Sequence, residues 1–282
     1  MKQLFYQEMI KEMMENDKQL AVISTEIYNK ICNNILDYML SFSSNDEVIQ
    51  MNYQLKREHI NSVIGYTEVL TRSLELDSDM VQAAQLSALL HDIGRFEQFK
   101  QFQTFNDHLS VDHAQLAVEL IEKHQWLSDL PENFQTAIAT AVLHHNKLSM
   151  PKNMGETALQ LCQIIRDADK IDILKLAVKE YSSQNSKRNP FFSLELADST
   201  QVSKPIAKAI LTGRLPDKKA MKTITDFKLL QMAFVFDVNY KKTFSIINKK
   251  QLLKQLFDTL PKNDQVFEIY RKAKIHVENQ LI

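Results

Sequence analysis

Between His59 and Asp169, five successive apolar stripes at helical spacing each carry an imidazole or a carboxylate near one end. Residues three, four and seven apart share one side of a helix, so each stripe marks a face that must be buried. His59 begins the stripe of Val63, Tyr66 and Leu70. His91 extends Ala84 and Ala88, and its neighbour Asp92 follows Val81, Ala88 and Leu89 on the adjoining flank. His113 heads Leu116, Ala117, Leu120 and Ile121; His145 ends Ile138, Ala141 and Val142; Asp169 continues Ala158, Cys162 and Ile165. Gly94 reads as a C-terminal stop for the helix that carries His91 and Asp92.

One histidine on an apolar face is ordinarily a core residue bonded to a backbone carbonyl. Six inward imidazoles and carboxylates are a different matter, because an unpaired buried carboxylate costs several kcal/mol or neutralises itself. Shared cations satisfy such a set most simply. Its mixture of nitrogen and oxygen donors suits Mn, Fe, Co, Ni or Zn, with Mg as a further option, better than it suits a pure Mg or Ca site. Paired cysteine ligands are absent, which excludes a zinc ribbon.

The 282 residues contain only four glycines, Gly65, Gly94, Gly155 and Gly213. Few turn glycines favour long helices on short loops over a sheet protein. The expected architecture is all-α over residues 1–282 as a single unit: N-terminal helices in 1–45, a metal-binding core in 50–181, and a helical extension in 182–282. Breaks fall at Asp77–Asp79, Asn106–Ser110, Ser128–Asn133 and Ser149–Gly155, giving about five helices in the central block. The polar run SSQNSKRNP from Ser182 reads as a loop or hinge. Beyond it, LLQMAFVFDV is too apolar to stand in water, so the extension is expected to pack on the core; FVFDVNY fits a strand or a buried helix equally well.

Opposite charges nearly cancel, to a formal −1. No global basic field recommends a stable nucleic-acid partner. Cys32 and Cys162 sit in helical patterns and read as free thiols in a reducing compartment. The N-terminus carries acids and has no apolar signal-peptide core, and no apolar run approaches the roughly 20 residues that span a bilayer. A cytoplasmic protein without a membrane partner is expected; oligomeric state stays open.

The string ALLHDIGRFEQF, with His59 upstream and RDADKIDIL downstream, resembles the HD superfamily of metal-dependent phosphohydrolases over roughly residues 50–181. The resemblance implies an HD-type helical bundle in which His59, His91, Asp92 and Asp169 hold a primary metal. SVDHAQLAVELI and AVLHHNK resemble the histidine-bearing helices of two-metal members, which extends a ligand role to His113 and His145, with His144 as alternative or addition. HHNKLSMP lacks the Gly-Tyr-Pro element of the cyclic-di-GMP phosphodiesterases, and Leu55 stands where three-metal members of that subgroup carry a carboxylate. The residues of alarmone synthetase-hydrolases are not evident, whereas MAFVFDVNYKKTF resembles the C-terminal part of bacterial HD hydrolases of this size.

The implied chemistry is hydrolysis of a phosphate ester of a nucleotide or related small metabolite by metal-activated water, Asp92 bridging two ions. Rival readings of the same residues are a di-iron oxygenase and a nucleotide sensor that keeps its metal. Arg95 either meets a substrate phosphate or forms a surface salt bridge; Lys170 either binds phosphate or orients Asp169. Asp107 and Asp112 either bond ligand histidines or, more simply, cap the next helix. Lys147 and Arg57 read as solvated charges, His108 as a pocket-rim residue, His124 and His276 as ordinary. Phe96, Phe99, Phe102 and Phe105 read as core rather than a stacking platform.

Overall fold

A computed structural model describes residues 22–183 and 196–282. Helix α1 spans Thr25–Ser41, α2 Glu47–Ser73, α3 Ser78–Leu90, α4 Gly94–Phe102, α5 His113–His124, α6 Glu132–His144 and α7 Glu156–Ser182. The C-terminal part adds α8 (Lys204–Leu211), α9 (Ile224–Met232), α10 (Lys241–Lys249), α11 (Leu252–Asp258) and α12 (Asp264–Asn279). Among the described residues there is no strand, only an isolated bridge between Ala197 and Thr223. The protein is all-α, as the scarce glycines predicted. The expected N-terminal helices before Val22 and the loop beyond Ser183 lie outside the described residues.

Short polar side chains start most of these helices. Ser24, Asp46, Asp77 and Asp112 each accept a backbone N–H from the first turn they precede, and Thr223 with Asp226 forms a reciprocal capping box. Helices α2 and α7 run along one another and enclose the shorter α3, while α6 closes the bundle against α3 and α7. One core fills this bundle, from Ile23 to Ala168; a second, from Leu174 to Val277, lies under the C-terminal helices. Helix α7 contributes to both.

Gly94 departs from expectation. It does not end the helix that precedes His91; it opens α4, so the central block has one more helix than its stripes suggested. A Cβ on Gly94 would stand 2.3 Å from the carbonyl oxygen of His113 and 2.9 Å from the nitrogen of Ala117. The glycine is there because the start of α5 crosses directly over it. The phenylalanine stripe that begins on α4 is core: Phe96, Phe99 and, beyond the helix, Phe105 are buried and only Phe102 is exposed. FVFDVNY resolves as a short 3-10 helix, Ala233–Asp237, followed by extended chain.

The C-terminal part is fastened to α7 by buried polar contacts as well as by its core. Asp167 accepts from the backbone N–H groups of Asn239 and Tyr240 and from the Thr243 hydroxyl. Arg166 and Lys170, on the same helix, pair with Asp237. These contacts bring the Ala233–Asp237 turn to the edge of the site formed by α2, α3, α5, α6 and α7. No described helix is long and apolar enough to cross a membrane.

Candidate metal centre

Six of the seven ligand candidates converge. His59 comes from α2, His91 and Asp92 from the turn after α3, His113 from the first residue of α5, His145 from just beyond α6, and Asp169 from the middle of α7. They form two adjoining groups, His59 with His91 and Asp169, and Asp92 with His113 and His145. Within each group one donor atom per residue lies within 4.8 Å of the others. Asp92 joins the groups. Its Oδ1 is 3.3 Å from His113 Nε2, while its Oδ2 is 3.6 Å from His59 Nε2.

The imidazoles are oriented from behind. Nδ1 of His59 bonds Asp172 at 2.8 Å, Nδ1 of His113 bonds Asp107 at 2.8 Å, and Nδ1 of His91 and of His145 each bond a backbone carbonyl at 2.7 Å. Each of these partners accepts, so each Nδ1 carries the hydrogen and all four Nε2 atoms face the centre. Burial pushes the pKa of His91, His113 and His145 down, which keeps them neutral. Two neutral Nε2 lone pairs, of His113 and His145, therefore point at each other across 3.1 Å. Lone pairs facing so closely repel unless a cation lies among them, so the donor set fits divalent metal. His59 differs: burial opposes its charge, but the bonds to Asp169 and Asp172 outweigh it and hold its pKa at about 9. Its inward nitrogen stands 3.1 Å from Asp169 and 3.4 Å from His91 Nε2, a position from which it could bind a cation.

His144 is not brought into either group. One residue of helix rotates a side chain by about 100°, and that rotation turns His144 away from His145, onto a separate surface cavity with Thr136, Thr140 and Met154. Its backbone carbonyl instead receives Arg166.

Arg95 is no surface group. Its guanidinium donates to Gln98, the Phe105 carbonyl and Asp107, and Nε stands 3.4 Å from Asp92 Oδ1. Lys170 turns to Asp237 rather than to its neighbour Asp169. The two aspartates before α5 divide the roles expected of them: Asp112 caps the helix and pairs with Lys147, and Asp107 orients His113. Arg57 donates to the carbonyls of Met39 and Phe42 instead of standing in solvent. His108 is exposed and does not line the cavity, His124 stacks on Trp126, and His276 packs against Phe236.

Two residues that touch the donor groups escaped the sequence reading. Buried Lys56 places Nζ 2.9 Å from Asp92 Oδ2, and Asp172 holds His59. Burial raises the cost of charge on Asp92, but the Lys56 and Arg95 cations outweigh it and hold the carboxyl ionised, well below its ordinary range. The signal for both residues was spacing: Lys56 precedes His59 by one helical turn, and Asp172 follows Asp169 by one.

In front of the donor groups lies a cavity of about 100 Å³. Ile173, Leu215 and Phe234 form an apolar part of its wall, and the rest is polar or charged. The family model described as HD domain matches residues 57–174. No curated protein and no solved structure gives a match to the chain.

Proposed function

Because the chain belongs to the HD-domain superfamily through residues 57–174, we propose that it is a metal-dependent phosphohydrolase acting on a phosphate ester of a nucleotide or related small metabolite. The observation that carries this reading is the ring of inward Nε2 atoms around Asp92, facing a cavity whose lining includes six lysines and arginines. His59, His91, Asp92 and Asp169 would hold one divalent ion, and His113 and His145 with Asp92 a second. Cations bound there supply Lewis acidity, which lowers the pKa of water and withdraws charge from a phosphoryl group.

The remaining chemistry belongs to the side chains. Asp172 and Asp107 fix the imidazole tautomers, so that no donor must turn when a ligand arrives. Lys56 and Arg95 keep Asp92 charged and in place. Lys170 and Arg166, which also line the cavity, offer positive charge to phosphoryl oxygens. The reading includes a reducing, cytoplasmic setting, supported by Cys32 and Cys162, which are both free thiols.

A phosphate-release screen over nucleotides and phosphomonoesters, run with Mn, Fe, Co, Ni, Zn and Mg in turn, tests it. Release that stops on chelation and returns with metal is expected. Hydrolysis that survives confirmed metal loss would move the chemistry to a side-chain nucleophile. Oxygen uptake by the iron-loaded protein, without phosphate release, would replace the hydrolase with an oxygenase.

A further inference from the structure

His145 stands just beyond α6, and the last turn of a helix leaves carbonyl oxygens without an intrahelical N–H. Its own Nδ1 donates to the Val142 carbonyl. One guanidinium serves the turn that follows. Nη1 of Arg166, reaching across from α7, donates to the carbonyls of His144, His145 and Lys147 at 3.0, 3.0 and 2.7 Å. A positive charge is favourable at a helix C-terminus, and here it also pins the backbone of a ligand candidate. The Nε2 atom of that candidate lies 3.1 Å from Nε2 of His113.

Arg166 is only 2% exposed, and a guanidinium so deeply buried needs a counter-charge. Among the described residues the carboxylate that pairs with it is Asp237, which accepts from Nη2. Asp237 ends the 3-10 turn Ala233–Asp237, outside the span that matches the family model. Direct contacts thus run from the C-terminal part, through Arg166, to the turn that carries His145. The imidazoles of the other donor group are held from within the matched span, His59 by Asp172 and His91 by the Ala88 carbonyl, and neither bond involves Asp237.

We propose that Arg166 is the positioning residue for His145 and that Asp237 sets it, so that the C-terminal part tunes the ion held by Asp92, His113 and His145 and leaves the other ion alone. This inference rests on the two-ion reading of the centre and assigns the control of one of those ions. By linkage, an ion at His145 favours docking of the Ala233–Asp237 turn by as much as the docked turn favours the ion.

Titration of the metal-free full chain with Mn²⁺, read by the electron paramagnetic resonance of the free ion, tests this. The wild type is expected to take up two ions. Asp237 is partly exposed, so Asp237→Asn keeps the shape and removes only the charge that orients Arg166. It should weaken one ion by about tenfold or more, with the other changed less than about threefold. Asp237→Glu retains the carboxylate and should keep both affinities within about threefold. In His145→Ala, which retains only the ion at His59, His91, Asp92 and Asp169, Asp237→Asn should change nothing further. Thr243→Val breaks a different contact of the C-terminal part with α7, the bond to Asp167, and should lower the melting temperature without moving either affinity. Equal weakening of both ions by Asp237→Asn would reduce Asp237 to a charge near the cavity and overturn the assignment. Two ions bound as in the wild type, or the same selective loss in Thr243→Val, would also overturn it. A wild type that binds a single ion would remove the two-ion reading and the inference together. Selective loss in Asp237→Asn, without phosphate release from any substrate, would keep the inference and remove the hydrolase reading.

Discussion

An imidazole can present either nitrogen, and in this cluster the choice is made by the atom behind the ring. For His59 that atom is Oδ2 of Asp172, itself fixed by the Ser62 hydroxyl. Asp172→Asn keeps the shape but lets an amide N–H face Nδ1, which favours the wrong tautomer. Metal affinity is expected to fall about 10–100-fold, read by competition with a chromogenic chelator, with helicity unchanged; unchanged affinity would remove His59 from the ligand set. Asp112 works differently, through the backbone of α5 and the Lys147 ammonium. Burial opposes its charge, but the bonds from Lys147 and Asn146 prevail and hold its pKa at about 2. A depressed carboxyl stabilises the folded chain above the unfolded value of about 3.9, and that contribution fades as pH falls toward the folded one. Asp112→Ala should therefore cost about 0.5–2 kcal/mol at neutral pH, and the gap in melting temperature from wild type should narrow between pH 4 and pH 2. A constant gap would assign the loss to something other than the charge.

At the scale of elements, the crossing of α4 and α5 decides where His113 stands. Gly94→Ala sets a methyl against backbone atoms of α5, which have no rotamer by which to yield. Overpacking of this kind costs about 1–3 kcal/mol. The helices must separate, and His113 moves with α5. Lower thermal stability together with reduced metal retention is the expected outcome; a variant that melts normally and holds metal normally would show that the crossing is slack. Gly94 also marks where sequence reasoning ran out. Glycine after an apolar helix usually signals a stop, and nothing local tells a stop from a crossing made by residues some twenty positions later. The inward faces, by contrast, were legible, because burial imposes helical periodicity directly: Ile138, Ala141 and Val142 point to the side on which His145 lies. Whether His144 shared that side depended on where the helix ended. The pairing of Asp237 with Arg166 and Lys170 was invisible, since it depends on how the C-terminal part folds back onto α7.

At the scale of the whole molecule, the two cores meet on one helix. Hydrophobic side chains of α7 enter the first core up to Ala168 and the second from Leu174, and Asp167, beside that junction, ties residues 239–243 to the helix. Asp167→Ala leaves buried N–H and hydroxyl donors without acceptors, at about 1–3 kcal/mol for each group left unsatisfied. Urea unfolding should lose several kcal/mol, and in the wild type the transitions seen by far- and near-ultraviolet circular dichroism should coincide. Separate transitions in the wild type would mean that the cores fold independently. The stretch Arg166–Asp172 has a further consequence, for inheritance. Five of its seven residues are charged, and they answer to different parts of the molecule: Arg166 and Lys170 to Asp237, Asp167 to the chain after it, Asp169 to His59, and Asp172 to His59 and Ser62. A change at any one position strands a partner on another element, so its effect depends on what that partner has become. Drift through this window is therefore confined to coupled steps, and substitutions harmful alone should turn neutral only beside a matching change at the contacting residue.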